Sequence, residues 1–164
     1  TRGLTGFRNQ SLKDIVLYLG INELRRFVLV ACLTSFETVR TAEIYYLSLI
    51  RAKFCELLAG RSASHQLARE ACMVGLFSLL DVILESPLDE LMGQIAVSPD
   101  VVKSLRHQDG VLYDYVTLAQ LYEQRLWTEA SDMAGEMGVS ESTVMEMMNR
   151  ATTWADEIPV GFGK

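Results

Sequence analysis

The chain has 164 residues, 49% of them hydrophobic and 22% charged, with only three prolines. That length and apolar fraction suit one compact domain burying about 70% of the surface its unfolded chain exposes, and they exclude a disordered or collagen-like chain. The formal net charge of −6 is uneven, +4 over residues 1–70 and −10 over residues 71–164, so the second part repels nucleic acid and acidic membranes.

Apolar residues recur at three and four positions almost from end to end, which predicts an all-helical chain. Ser11 to Leu19 reads as a short helix stopped by Gly20, and Asn22 caps a second from Glu23 to about Leu33. From about Thr41 to Ala59, Ile44, Leu47, Ile50, Phe54, Leu57 and Leu58 form an apolar stripe. Glu43, Arg51, Lys53 and Glu56 are expected to face elsewhere, and Gly60 to end the helix. After a polar turn at Arg61 to His65, a helix is predicted over Glu70 to Leu84. Its stretch Ala71 to Leu80 is apolar on all sides, as suits the most buried helix of a domain.

Two short helices are expected after Ser86-Pro87 and Ser98-Pro99, where a capping hydroxyl precedes a proline at the first helical position. Asp109-Gly110 is a turn. Beyond it Leu112, Tyr115, Val116, Ala119 and Tyr122 share a helix face running to about Arg125. Thr128 is a candidate cap for the next helix, and Ser140 for the last. In that last helix Val144, Met147, Met148, Ala151, Trp154 and Ala155 recur at helical spacing, and it ends before Pro159. The domain is expected over residues 1–158, with 159–164 a flexible tail.

Cys32, Cys55 and Cys72 are far apart, odd in number and set in apolar helical patterns, as buried thiols of a reducing, cytoplasmic compartment would be. A mean hydropathy of +0.16 is high, yet charges interrupt every long apolar run, so neither a membrane span nor a signal segment is expected. The chain begins at Thr1 rather than Met, and the expectation is a piece of a longer protein.

Catalytic constellations are sparse. A hydrolytic metal centre needs several His and carboxylate ligands converging on one ion, whereas the two histidines, His65 and His107, are isolated and no His-Asp dipeptide occurs. The cysteines form no Cys-x-x-Cys pair for zinc. No Gly-x-Ser-x-Gly elbow or phosphate-cradling glycine loop leads into a helix. Ala134 to Val144 has the outline of a DNA-reading helix-turn-helix, but residues 129–157 hold seven acidic groups against the single base Arg150. Phosphates would meet the wrong sign, so a helical hairpin with Val139 and Val144 turned inward is the better expectation. Asp81, at the end of the most apolar stretch, needs a partner or a wet edge.

With these segments in place, Gly75-Leu76-Phe77-Ser78-Leu79-Leu80-Asp81 followed by Ser86-Pro87-Leu88-Asp89-Glu90-Leu91 resembles the core signature of HDOD output domains. The chain is most similar to the HDOD half of bacterial proteins that join an EAL domain to a modified HD-GYP-like domain. Ser11 to Phe27, Ile44 to Leu58 and Ala151 to Asp156 resemble, in order, the family's early helix pair, its third helix and the closing helix of the EAL-linked subgroup. The resemblance implies a single domain of about eight helices related to the HD-type fold, with a degenerate metal site. Against the catalytic HD pattern, Leu47 stands where the first histidine would be, and Leu80 precedes Asp81 where a His-Asp pair would be.

The expectation is therefore a non-catalytic domain without metal or other cofactor. It would serve bacterial cyclic di-GMP signalling through contacts with a linked EAL phosphodiesterase domain or another signalling protein, bind neither nucleic acid nor membrane, and leave homo-oligomerisation open. Arg25 and Arg26 oppose the dipole at a helix start and are the candidate interdomain contact. The rival readings are an HD-type phosphohydrolase with an atypical site built from Asp81, His65 and other carboxylates, and a nucleic-acid module using the basic first half.

Overall fold

The computed structural model describes residues 39–62, 64–84, 87–92 and 97–157, and every regular element among them is helical, with no strand. The two helices expected between Ser11 and Leu33, the cap Ser86, the tail, Cys32, Arg25 and Arg26 lie outside the described residues. Among these no helix is long and apolar enough to cross a membrane.

Helix α1, Val39–Ala59, is the longest at 21 residues. It closes where expected, the Gly60 N–H donating to the Glu56 carbonyl at 2.9 Å. Helix α2 spans His65–Phe77 and starts five residues before the predicted Glu70, because Ser64 accepts from the Leu67 N–H and satisfies a donor the first turn leaves open. It also stops early. The Ser78 hydroxyl donates to the Gly75 carbonyl at 2.8 Å, a bond that competes with the helical ladder, and the chain resumes as the short α3, Leu80–Leu84. The single helix expected over Glu70 to Leu84 is thus two.

Helix α4 covers Leu88–Met92 and α5 covers Pro99–His107. Ser98 caps α5 by accepting from Val101 N–H at 3.4 Å, with Pro99 in the first turn. The turn into α6, Val111–Glu123, passes through Gly110 at φ +83°, a left-handed conformation that costs a glycine little. Helix α7, Trp127–Glu136, is capped at Leu126 without a side-chain bond, so Thr128 lies inside the first turn and does not cap it. Helix α8, Glu141–Asp156, starts on Ser140, whose Oγ accepts from Thr143 N–H at 3.2 Å.

The core lies where α1 meets α2, α6 and α8, and where α2 in turn meets α5 and α6. Tyr45, Leu49 and Phe54 of α1, Val74 and Phe77 of α2, Val116 and Leu118 of α6, and Val144 of α8 are fully buried. Each such large apolar side chain contributes about 1.5–3 kcal/mol relative to exposure. Because α1 has helices on several sides, its most buried positions are Tyr45, Ser48, Leu49, Arg51, Ala52, Phe54, Cys55, Leu58 and Ala59. Ile44, Ile50 and Leu57 of the expected stripe are only partly buried against the core. Central position, expected for α2, is shared with α1. Val139 and Val144 do turn inward, at 8% and 0% exposure.

Candidate functional site

The segments that carry the HD-like pattern are the middle of α1 and the α2–α3 break. Leu47 is half-buried on α1, Leu80 is buried as the first residue of α3, and Asp81 is exposed beside it. The helix break delivers Asp81 to solvent, so its carboxylate needs no buried partner. His65 opens α2 and His107 closes α5, both exposed. Among the described residues no three His, Cys, Asp or Glu side chains come close enough to share a metal ion, so Asp81 and His65 are not gathered into a ligand set there.

What does occupy the junction of α1, α2 and α6 is a part-buried ion pair, whose Arg51 was expected only to face away from the apolar stripe. Arg51 reaches across to Glu123 at the end of α6, Nε donating to Oε1 at 2.8 Å and Nη2 to Oε2 at 2.6 Å. Its Nη1 donates to Ser78 Oγ at 3.1 Å, at the break after α2. The side chains are 7% and 21% exposed, and the parallel fork geometry is the strong form of such a pair. One guanidinium thereby ties α1, the α2–α3 break and the last turn of α6 together.

The close approach that puts Arg51 there follows from small residues. A Cβ added to Gly75 would lie 2.7 Å from the Arg51 carbonyl oxygen and 2.9 Å from Ala52 Cα, so α1 and α2 touch backbone to backbone. Ser48, Ala52, Cys55 and Ala59 recur along α1 at spacings of four, three and four, facing an α2 that carries Ala71 and Gly75. This run of small residues was the signal available in the sequence, and the apolar-stripe reading passed over it.

Cys55 and Cys72 are buried free thiols. Burial, reinforced by the neighbouring Cys72, pushes Cys55 far above the usual thiol range, which disfavours the thiolate. At the far end of α1 the Tyr46 hydroxyl donates to the Asp156 carboxylate of α8. That hydrogen bond, with some burial and the carboxylate's charge, raises Tyr46 to about 12. Lys53 lies over the Trp154 ring at 5.5 Å and pairs with Glu56 at 2.8 Å, so the α1–α8 seam is also closed by polar and aromatic contacts.

No family model and no solved structure matches the chain. Two curated proteins do. The cyclic di-GMP phosphodiesterase CdgJ of Vibrio cholerae is 30% identical over 148 residues, which cover 90% of this chain and 34% of that protein. The uncharacterized protein YuxH of Bacillus subtilis is 27% identical over 136 residues, 81% of this chain and 33% of that protein. The chain is similar to both. It spans about a third of the length of these curated relatives.

Proposed function

We infer that the chain is a non-catalytic regulatory or output domain of a cyclic di-GMP signalling protein, related to the HDOD and HD-type domains and acting through contacts with a linked EAL-type phosphodiesterase domain. The observation that carries the reading is the match to CdgJ over 90% of the chain, since a relative named for cyclic di-GMP hydrolysis connects this segment to that signal. The local chemistry points to the regulatory share of the work. Where the HD pattern calls for histidines, Leu47 and Leu80 offer hydrocarbon, which can neither ligate a metal nor lower the pKa of a bound water. At the centre, Arg51 is engaged with Glu123 and Ser78, groups already matched to each other and so of little use to a substrate phosphate.

The test has two arms. The 164-residue chain, purified with manganese and magnesium present, is expected to leave cyclic di-GMP intact and to carry no stoichiometric transition metal. Turnover, or one to two tightly held ions per chain, would show the metal-dependent phosphohydrolase instead. In the longer protein, Arg25→Glu with Arg26→Glu is expected to change the rate of cyclic di-GMP hydrolysis while the isolated domain still melts cooperatively. An unchanged rate together with a collapsed domain would make the two arginines structural and move the regulatory surface elsewhere.

A further inference from the structure

The seam between α1 and α2 sets Cys55 opposite Cys72. On α1, Ser48, Ala52, Cys55 and Ala59 share one helix face, and on α2 Ala68, Ala71, Cys72 and Gly75 do, at the three- and four-residue spacing of a single stripe. The two helices run antiparallel, with their register fixed at two points. A Cβ on Gly75 would stand 2.9 Å from Ala52 Cα, and one on Gly60 would stand 3.8 Å from Ala68 Cβ. Between these points, Cys55 follows Ala52 by three residues just as Cys72 precedes Gly75 by three. They are 0% and 1% exposed. Burial first, and Cys72 next, raise the pKa of the Cys55 thiol, in keeping with sulfurs that lie near each other.

A disulfide bridges Cα atoms about 4.4–6.8 Å apart, closer than the usual axial distance of about 8–10 Å between helices packed through larger side chains. Small residues remove that obstacle here, because the backbones of α1 and α2 already touch at Ala52 and Gly75. In the closed seam both thiols are shielded from solvent and the thiolate is disfavoured. An oxidant therefore reaches them only when α1 and α2 part by local opening.

We propose that Cys55 and Cys72 form a reversible disulfide that staples α1 to α2, made by hydrogen peroxide when the seam opens and undone by a small thiol. One thiolate attacks a peroxide oxygen, the O–O bond breaks, and a sulfenic acid forms as water leaves with the thiol's proton. The second sulfur then attacks the sulfenic sulfur. An S–S bond forms, the S–O bond breaks, and the departing hydroxide takes the second thiol's proton as another water. Two thiols are oxidised by two electrons in all, and one peroxide is reduced to two waters. Exchange with a small thiol reverses the bond. The staple does not depend on the cyclic di-GMP reading, and no nucleotide enters its test, so either can fail alone.

The test uses the 164-residue chain with Cys32→Ser, so that Cys55 and Cys72 are its only thiols. After hydrogen peroxide treatment, both thiols should be lost from a titration in denaturant, and the tryptic peptides 54–61 and 70–103 should be found joined within one chain. The oxidised chain should melt about 5 °C or more above the reduced one, and dithiothreitol should restore the lower midpoint. Gly75→Ala, which loosens the seam, should speed oxidation about fivefold or more, provided a melt shows the variant folded. With Cys72→Ala added to Cys32→Ser, no joined peptides should form. Thiols that persist in the parent and Gly75→Ala chains alike, a sulfinic acid in place of the joined peptides, or a bridge formed only between two chains would overturn the proposal. So would a bridged chain that melts below the reduced one, since the bond would then strain the seam and not staple it.

Discussion

The junction of α1, α2 and α6 and the α7–α8 hairpin use polar groups in opposite ways. At the junction α1 and α2 meet backbone to backbone, and the part-buried Arg51 bonds both Glu123 and Ser78. On the hairpin the carboxylates face solvent, and Trp127 and Met145 are exposed as well. The first arrangement makes stability sensitive to single atoms, because a partner lost from a buried pair leaves its mate desolvated. The second leaves side chains whose removal costs the fold little.

The largest effect should come from breaking the ion pair on one side. Glu123→Ala leaves the buried Arg51 without its carboxylate and is expected to cost about 3–5 kcal/mol by chemical denaturation. Replacing both partners with apolar residues, Arg51→Met with Glu123→Leu, should recover most of that loss. If the double variant is no better than the single one, the pair stabilises through something beyond mutual neutralisation.

Gly75→Ala sharpens the same side of the comparison. Its new methyl group would press on the Arg51 carbonyl at 2.7 Å, and backbone cannot step aside as a side chain can. A loss of about 1–3 kcal/mol is expected. A neutral result would show that α1 and α2 can part without harm.

On the hairpin the effects shrink. Ser140→Ala removes the oxygen that accepts from Thr143 N–H and should cost about 1 kcal/mol. Met145→Ala, at a half-exposed position, should stay within about 0.5 kcal/mol. A Met145 loss as large as that of Gly75→Ala would erase the contrast between the two regions.

The smallest signal is a titration. Tyr46 should ionise spectroscopically at about 12, mainly because its hydroxyl donates to Asp156, and in Asp156→Asn the value should fall toward the ordinary 10.0. A raised pKa means that the folded state favours the neutral phenol. Its stabilising contribution is therefore complete below pH 10 and is lost as the pH climbs through about 12. A stability profile that rises over that interval would contradict the hydrogen bond between α1 and α8.

Much of the helix grammar was legible in the order of residues alone. Gly60 ends α1, Ser98 and Ser140 start α5 and α8, and Gly110 opens α6, because each acts on backbone groups no more than four residues away. For Asp81 the sequence left a partner or a wet edge open, and the break after Phe77 decided for the wet edge. Where local signals competed, the reading failed: Ser64 rather than a later residue started α2, Ser78 broke it, and Thr128 was passed over as a cap. The buried Arg51 was beyond periodicity altogether. Its partner Glu123 is 72 positions away, and on helical spacing a charged residue beside an apolar stripe reads as solvent-facing. Residue types and their spacing determined that this chain is helical and where most helices begin and end. Tertiary structure decided which face of α1 is innermost and that a guanidinium fills the junction. Burial of a charge depends on a matching group brought from another element, and no local pattern encodes that meeting.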